Sequence, residues 1–341
     1  MLVAGLVVLG FTIARPRPAD PGPVPAGARP VVRDAAAETL VRQAHLLLTR
    51  PQVSETGGEI EIAPLADPAA ARATTSLKCD RISFAVGRGI CLQTALGVLT
   101  KYEAVVFDTQ FKPIVTMKLD GAPTRTRISP DGRYGAITVF VTGAAHGYNS
   151  VSFSTKTTLI DMASGSEIGE LEQFRTTRDG QPFAATDFNF WGVTFARDSN
   201  VFYATLMTNR KTYLVKGEVA GRTMTVLREN VECPSLSPNN QLIAYKKRVG
   251  GDLAPWRFYV MDLATLTERP IAAETRSIDD QLEWLDDGHV MYATTRSSQS
   301  PIADVWAAPV TGTEPARLLL PEAESPIVVR GASQSQPQTG S

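Results

Sequence analysis

The sequence predicts an all-β protein, a six-bladed β-propeller in which both termini contribute strands to the closing blade. Three observations predict this fold. A turn signature recurs along the chain, each turn lies between segments rich in β-branched and aromatic residues, and strand-like segments lacking a hairpin of their own stand near both ends. With 43% hydrophobic and 20% charged residues, the 341-residue chain can bury a sizeable core.

The clearest copy of the turn is the Ser-Pro-Asp-Gly-Arg run at Ser129–Arg133, between Thr126–Ile128 and Tyr134–Phe140. Pro presets φ for the first turn position, and Asp, Asn and Gly accept the left-handed conformation that follows. We therefore expect an antiparallel hairpin here, with Gly132 in the left-handed region. Related turns recur at Val86–Gly89, Ala196–Asn200, Ser237–Gln241 and Leu285–His289.

A second pair of strand-like segments follows each hairpin. The clearest pairs are Thr158–Met162 with Glu167–Leu171, and Arg257–Asp262 with Thr267–Ile271. Four strands per unit, with units about 40 to 65 residues apart, are typical of propeller blades. A single blade would expose two apolar faces, so the blades must stack in a closed ring.

The ends of the chain supply a sixth blade. Glu59–Ala70 resembles Asp304–Gly312, the outer strand pair of a unit, but has no inner hairpin of its own. His45–Thr49 could supply one inner strand, and Ser325–Val329 the innermost strand from the other end of the chain. Such shared closure removes the last free sheet edge.

In these turns the chain resembles the TolB-like β-propeller family, whose WD40-like repeats carry Ser-Pro-Asp-Gly turns, over roughly residues 40–330. A closer likeness to secreted actinobacterial TolB-like proteins is carried by Asp187–Phe195, Val231–Pro238 and Asp279–Asp287. The resemblance implies a propeller that binds a partner in the cell envelope. The turn motif is specific for the fold and nearly silent on function.

The segments outside the propeller predict a tether and a tail. Leu2–Ala14 is an apolar run of signal-peptide length, shorter than the roughly 20 residues of a membrane span, although a buried core strand is the alternative. A Pro-rich linker follows from Pro16 to about Pro30. We expect a signal or anchor at 1–14, a linker at 15–35, the propeller at 36–330 and a disordered tail at 331–341. The protein would then be extracytoplasmic, either secreted or tethered, and would contact membrane only through its N-terminal segment.

The sequence contains no catalytic, metal-binding or cofactor motif. A net charge of −1 gives no electrostatic reason to expect a nucleic acid. Scanning finds no Cys-x-x-Cys pair, Gly-x-Ser-x-Gly elbow, phosphate loop or calcium loop. His45 and His289 lack metal-ligand spacing, and His146 lies in a Gly-rich loop where it could meet a ligand or simply be solvated.

The cysteines leave two interpretations open. Cys79 and Cys91 bracket one short segment, so they could be bridged in an oxidising compartment or could be two small buried residues. Cys233 is expected to be a buried thiol.

Charged and polar residues expected just before the innermost strands are the candidate binding site. These strands line the channel of a propeller, and their starts open on one face. A ring there could bind a ligand or a cation, with Asp187, Glu232, Asp279 and Asp280 converging, or its members could pair with one another and cap loop backbone. The candidates are Asp80, Arg81, Arg125, Arg127, Asp187, Asn189, Glu232, Asp279 and Asp280.

The connection from Phe174 to Trp191 is a second candidate. Its aromatic residues would form a binding patch if exposed, but at least the last two are expected to pack between blades. They are Phe183, Phe188, Phe190 and Trp191.

Together these patterns favour a monomeric, non-catalytic binding or scaffold propeller of the cell envelope, which engages an envelope protein, a peptide or a small ligand through one face. The alternative is a metal-assisted hydrolase of the lactonase kind that uses the acidic residues at the channel mouth. A third hypothesis is a sensory or lipoprotein-like accessory module. The absence of a lipobox cysteine after the apolar run disfavours the lipoprotein version.

Overall fold

A computed structural model describes residues 31–33, 35–53, 56–95, 99–142, 153–251 and 253–330. The predicted apolar run, most of the predicted linker, His146 and the predicted tail lie outside the described residues. The structure is nearly all β, with its strands in six sheets arranged as the blades of a propeller. Within the described ranges, no helix combines the length and the apolar character needed to span a membrane.

The first elements along the chain belong to the blade that closes the ring. They are β1 (Val31–Arg33), α1 (Ala35–Leu40), β2 (His45–Thr49), β3 (Glu59–Pro64) and β4 (Arg72–Lys78). Blades 1 and 2 follow, each an antiparallel sheet of four strands ordered from the channel outward. Their strands are β5 (Arg81–Ala85), β6 (Arg88–Ala95), β7 (Lys101–Asp108) and β8 (Pro113–Lys118), then β9 (Ala122–Ile128), β10 (Tyr134–Thr142), β11 (Ser154–Asp161) and β12 (Glu167–Glu170).

Blade 3 has six strands, because the connection from blade 2 makes a 3-10 turn at Leu171–Gln173 and then adds a hairpin to the outer edge of the sheet. The hairpin strand β13 runs parallel to the fourth strand, β18. The blade contains β13 (Arg175–Arg178), β14 (Gln181–Pro182), β15 (Asn189–Phe195), β16 (Val201–Thr208), β17 (Lys211–Glu218) and β18 (Thr223–Glu229).

Blades 4 and 5 return to four antiparallel strands. Their strands are β19 (Glu232–Leu236), β20 (Leu242–Arg248), β21 (Trp256–Asp262) and β22 (Glu268–Pro270), then β23 (Glu283–Asp286), β24 (His289–Thr295), β25 (Ala303–Pro309) and β26 (Arg317–Leu320).

The last strand, β27 (Glu324–Val329), closes the ring. It pairs antiparallel with β2, where Leu46 lies opposite Val328, and becomes the innermost strand of the closing blade. The predicted six blades with shared closure are therefore confirmed. Three details differ from expectation. Blade 3 has six strands where four were expected. β1 lies inside the predicted linker and pairs in parallel with β4, which gives the closing sheet a fifth strand, and α1 follows β1 directly.

The core lies between neighbouring blades. Between the closing blade and blade 1, for example, Ile60 and Ala73 pack with Ile82 and Val105. A disulfide between Cys79 and Cys91 joins the same two blades, and Cys233 is a buried free thiol. Each sheet thus buries both of its faces, as stacked blades require.

The propeller has two distinct faces. We call the end carrying the turns between first and second strands the turn face, and the end where the first strands start the mouth face. On the turn face, adjacent blades are linked by hydrogen bonds from one turn to the next. The backbone N–H groups of Asp131, Arg197 and Asn239 donate to the side chains of Ser199, Asn240 and Asp287 at 3.3, 2.8 and 3.0 Å. The recurring turn residues therefore hold the ring together.

Replacing Gly132 by Val should destabilise the fold. Gly132 has φ of +73°, and a Cβ atom there would lie 3.2 Å from Cβ of Val86 in the neighbouring turn. We expect a loss of about 1 to 2 kcal/mol in the free energy of unfolding, measured by thermal melting. Gly251→Val is the control, since a Cβ atom there meets nothing within 4 Å. Equal melting temperatures for Gly132→Val and the parent would count against the strained turn.

Candidate functional site

The predicted ring residues lie at several depths in the channel. Arg81, Asn189 and Glu232 are the first residues of β5, β15 and β19. The expectation that Arg125 and Arg127 precede their innermost strand is wrong, because β9 already begins at Ala122 and places both arginines inside it. Local sequence alone does not fix a strand's first residue, which depends here on pairing with β10.

An ion pair crosses the channel. Arg127 of blade 2 is paired with Glu283 of blade 5, the opposite blade in a ring of six, and its Nη2 donates to the Leu282 carbonyl at 3.4 Å. The cavity beside the pair, which Arg81 and Ser325 help to line, measures only about 40 Å³. That volume has room for a few water molecules but is far below the roughly 300 to 1,000 Å³ of small-molecule sites.

A second group surrounds the fully buried ammonium of Lys246. This residue of β20 is paired with Asp279, and its Nζ lies 4.4 Å from the ring centroid of Trp256. Burial is the largest single influence on Lys246 and would lower its pKa, but the acidic neighbours, led by Asp279 and including Glu232, together outweigh burial, and the pKa is raised. The Arg248 guanidinium carbon lies 5.0 Å from the centroid of the same ring, and Arg248 Nε donates to Glu232 at 3.0 Å. These groups compensate one another's charge.

The third group lies between the closing blade and blades 1 and 5. Arg81 Nη1 lies 3.4 Å from Asp280 Oδ1, and Asp280 Oδ2 accepts from the Ala293 backbone N–H at 2.9 Å. Asp80 accepts from the side-chain amide of Gln52 at 3.1 Å. Burial raises the pKa of both Asp80 and Glu324, the latter being the first residue of β27. Here too an arginine offsets the carboxylates.

Asp187 and Asn189 stand apart from these groups and hold loop backbone. Asp187 accepts from the Thr208 hydroxyl at 2.5 Å and from the Asn209 backbone N–H at 2.7 Å, and the Thr208 hydrogen bond is the main cause of its lowered pKa. Asn189 accepts from the Thr155 N–H at 2.7 Å. Of the four acids expected to converge, Asp187 therefore caps the turn between β16 and β17.

Sequence reasoning missed several members of the site. Glu283, Lys246 and Arg248 contact predicted ring residues, and Trp256 packs against the two cations among them. Glu283 lies in the acidic stretch that begins at Asp279, so its position in the sequence could have identified it as a candidate. For Lys246 and Trp256 the sequence carries no such signal, because both look like ordinary strand residues.

The described residues show no grouping suited to a metal ion. Within the part of the chain that the structure describes, no three His, Cys, Asp or Glu side chains are grouped so that they could hold a metal ion. His45 Nδ1 lies 2.7 Å from the Gln43 carbonyl, and His289 contacts Asp286 at the turn face. The acids of the channel instead contact arginine, lysine and N–H groups.

The aromatic residues of the connection before β15 pack inside the protein. Phe190 and Trp191 are buried. Phe183 and Phe188 are partly buried, with ring centroids 5.2 Å apart, and Phe183 also packs edge-on against Tyr213. They therefore form no exposed aromatic patch.

Exposed apolar side chains concentrate on the mouth face. The described residues include seven exposed large hydrophobic residues, and five of them lie in or beside the loops between second and third strands, which are on the mouth face. These are Val53, Leu99, Val141, Val249 and Leu253. Val86, by contrast, lies on the turn face, and Ile114 lies in the outer strand β8. We call the five residues the apolar rim.

Asp279→Asn tests whether the channel charges are structural. It would leave the buried Lys246 ammonium with a neutral partner, so we expect a loss of about 2 kcal/mol in the free energy of unfolding. Denaturant unfolding measures it, and titration calorimetry with divalent metal ions and basic peptides should show no heat with parent or variant. Asp120→Asn, which removes an exposed partner of Lys156, is the control with little expected effect. Unchanged stability together with metal or peptide binding by the parent would make the ring a ligand site.

Solved structures share this architecture. TolB from Acinetobacter baumannii is 15% identical, with a TM-score of 0.58 over 84% of this chain and 66% of that one. A chain of the nidogen/laminin complex is 11% identical, with a TM-score of 0.56 over 84% of this chain and 98% of that one. The fold is that of a TolB-like β-propeller. No protein-family model and no curated protein sequence matches the chain.

The likeness has a defined extent. This TolB-like propeller spans just under two thirds of the length of the Acinetobacter TolB. At 15% identity the likeness describes the fold, and functions come from sites placed on a fold.

Proposed function

We propose that this TolB-like propeller is a non-catalytic binding or scaffold protein of the cell envelope that engages a protein partner through its mouth face. The observation that carries the proposal is the apolar rim, which holds five of the seven exposed large hydrophobic side chains among the described residues. Exposed apolar side chains concentrated on one face of a protein are typical of protein interaction sites.

The other surfaces are less suited to a partner. On the turn face, the turns already use their polar groups to bind neighbouring blades. In the channel, Arg127 pairs with Glu283 and Lys246 pairs with Asp279, so these charges offset one another within the ring. A partner would therefore contact the loops of the mouth face, and its binding would not require chemistry in the channel.

Three features support a place in the envelope. The Cys79–Cys91 disulfide favours an oxidising compartment. The apolar run Leu2–Ala14 suits export or tethering. The fold is shared with TolB and with a chain of a protein complex, the nidogen/laminin complex. The propeller would act there as a monomer.

The first described residue supports the choice of face. β1 runs parallel to β4, which starts at the turn face, so Val31 lies at the turn-face end of the closing blade. If the chain is held through its N-terminal segment, the turn face lies nearer to the point of attachment, and the mouth face lies farther from it.

Substitutions on the two faces test this function. Purified parent and variants would be incubated with envelope extract and cross-linked, and the captured proteins compared by mass spectrometry. We expect Leu99→Asp with Leu253→Asp to abolish capture of partners that the parent retains, without lowering the melting temperature, because both side chains are exposed. Val86→Asp, a change of another exposed apolar residue on the turn face, is the control and should leave capture intact. If the mouth-face variant still captured the partners and the Val86→Asp variant did not, the binding surface would lie on the turn face.

A further inference from the structure

We propose that a cleft at the outer rim of the ring, separate from the mouth face, binds a small hydroxylated organic anion. The cleft lies between the closing blade and blade 1 and has a volume of about 640 Å³. Its walls are α1, the middle of β4 and the turn Thr109–Lys112 of blade 1. This volume falls within the roughly 300 to 1,000 Å³ of small-molecule sites in proteins.

An unpartnered buried hydroxyl faces this cleft. Ala73 and Leu77 of β4 pack into the core shared with blade 1. Thr75, in the middle of this strand, is among the residues that line the cleft. Thr75 is 8% exposed, and its Oγ1 has no hydrogen-bond partner. A buried hydroxyl without a partner is costly, and a ligand that reaches it would remove that cost.

The opposite wall is a turn held in one conformation. The Asp108 carboxylate accepts from the backbone N–H groups of Gln110 and Lys112 at 2.8 and 2.9 Å. Phe111 between them has φ of +58°, a left-handed conformation that bulky residues rarely adopt, and its ring stacks on Phe107 at 5.7 Å. The turn thus presents Gln110, Phe111 and Lys112 to the cleft in fixed positions.

The charges around the cleft select an anion. Arg42 and Lys112 line it, and neither has an ion-pair partner within the described ranges. Glu38 is the one acid among the residues that line the cleft. Two cations against one carboxylate favour a phosphate or carboxylate group.

The remaining lining residues suit a hydroxylated body. Thr75, Thr109 and Gln110 offer hydrogen-bonding groups, and Val41 and Phe111 offer an apolar wall. An anionic group attached to several hydroxyls, as in a sugar phosphate or a sugar acid, matches both the two cations of the cleft and its polar lining residues. Because the site lies on the outer rim, this inference stands independently of the mouth-face partner.

Titration calorimetry on the full chain tests the site, with glucose 6-phosphate, glycerol 3-phosphate and gluconate as probes. We expect binding of at least one probe, weakened about tenfold by Lys112→Gln, by Arg42→Gln and by Thr75→Val. Lys101→Gln is the matched control, since this exposed lysine lies at the other end of β7, and it should leave affinity unchanged.

Each contrary result is informative. No heat from any of the three probes at millimolar concentration would overturn the proposal, as would affinities unaffected by all three cleft variants. Glucose binding as tightly as glucose 6-phosphate would overturn the anion requirement. Inorganic phosphate binding as tightly as the organic anions would overturn the requirement for a hydroxylated body.

Discussion

Replacing Glu61 by Ala should destabilise the propeller by about 3 to 5 kcal/mol, because the change leaves buried charge without a counter-charge. Glu61 lies in β3 and is 1% exposed. Its Oε1 accepts from Arg50 Nε and its Oε2 from Arg72 Nη1, both at 2.8 Å. Without the carboxylate, the guanidinium of Arg72, whose side chain is 7% exposed, would remain buried and unneutralised.

The effect should reach the closure of the ring. Arg72 Nη2 also donates to the Pro321 carbonyl at 2.7 Å, three residues before β27 begins. Glu61 therefore fixes an arginine that ties the N-terminal strands of the closing blade to the C-terminal segment. Denaturant unfolding followed by circular dichroism measures the loss.

The control for Glu61 is Glu59→Ala in the same strand. Glu59 is only partly buried, and no ion pair is found for it within the described ranges, so its loss should change stability by at most about 0.5 kcal/mol. If Glu61→Ala unfolded at the same denaturant concentration as Glu59→Ala, the ion pairs of Glu61 with Arg50 and Arg72 would not stabilise the closing blade.

The blades were predictable because their turn chemistry is local. A Ser-Pro-Asp-Gly turn specifies its hairpin through residues adjacent in sequence, and Gly132 has the expected positive φ. The closing blade was predictable because Glu59–Pro64 and Glu324–Val329 lacked hairpins of their own, and an unpaired strand must find a partner.

The edge elements could not be predicted in this way. Val31–Arg33 joins a sheet by parallel pairing with β4, and Arg175–Arg178 by parallel pairing with β18 in addition to its short hairpin with β14. β4 and β18 are each more than 35 residues away along the chain. Neither is long enough to show an apolar alternation, so their sequences resemble loops. Tertiary pairing decided their conformation.

The sequence could predict that these residues lie in the channel, but not which residues they pair with. Residues that begin innermost strands face the channel in any propeller, so Arg81 and Glu232 were expected there. Their partners come from other strands or blades, as Arg127 and Glu283 show by meeting across the ring. Sequence spacing contains no record of which blades stand opposite, and it therefore could not show that the channel charges compensate one another.

The stability of the protein should fall as pH rises through about 7, and Glu172→Gln should remove most of that fall. Glu172 lies in the 3-10 turn between blades 2 and 3, where burial raises the pKa of its carboxyl to about 7. Both carboxyl oxygens lie 3.2 Å from the Thr157 backbone N–H, and the nearby charge of Glu170 adds to the increase. The folded protein therefore favours the protonated form.

The direction of this pH dependence follows from the difference between the pKa of Glu172 in the folded and in the unfolded protein. In the unfolded chain this carboxyl titrates near 4.5, so its contribution to stability is complete below that pH and is lost as pH rises through the folded value of about 7. The loss amounts to about 3 kcal/mol once the group is ionised in both states. Glutamine keeps an oxygen that can accept from Thr157 but carries no charge, so the variant should be more stable than the parent by up to that amount at about pH 8.

Denaturant unfolding of parent and Glu172→Gln from about pH 5 to about pH 8 measures the difference, since comparing the two proteins cancels groups that titrate in both. Glu170→Gln is the matched control. That residue is two positions away and pairs with Lys156 at 3.1 Å, so its variant should retain most of the fall with pH. A Glu172→Gln protein that loses as much stability as the parent over this range would show that the carboxyl is ionised in the folded state at no cost, and that burial between blades 2 and 3 does not control it.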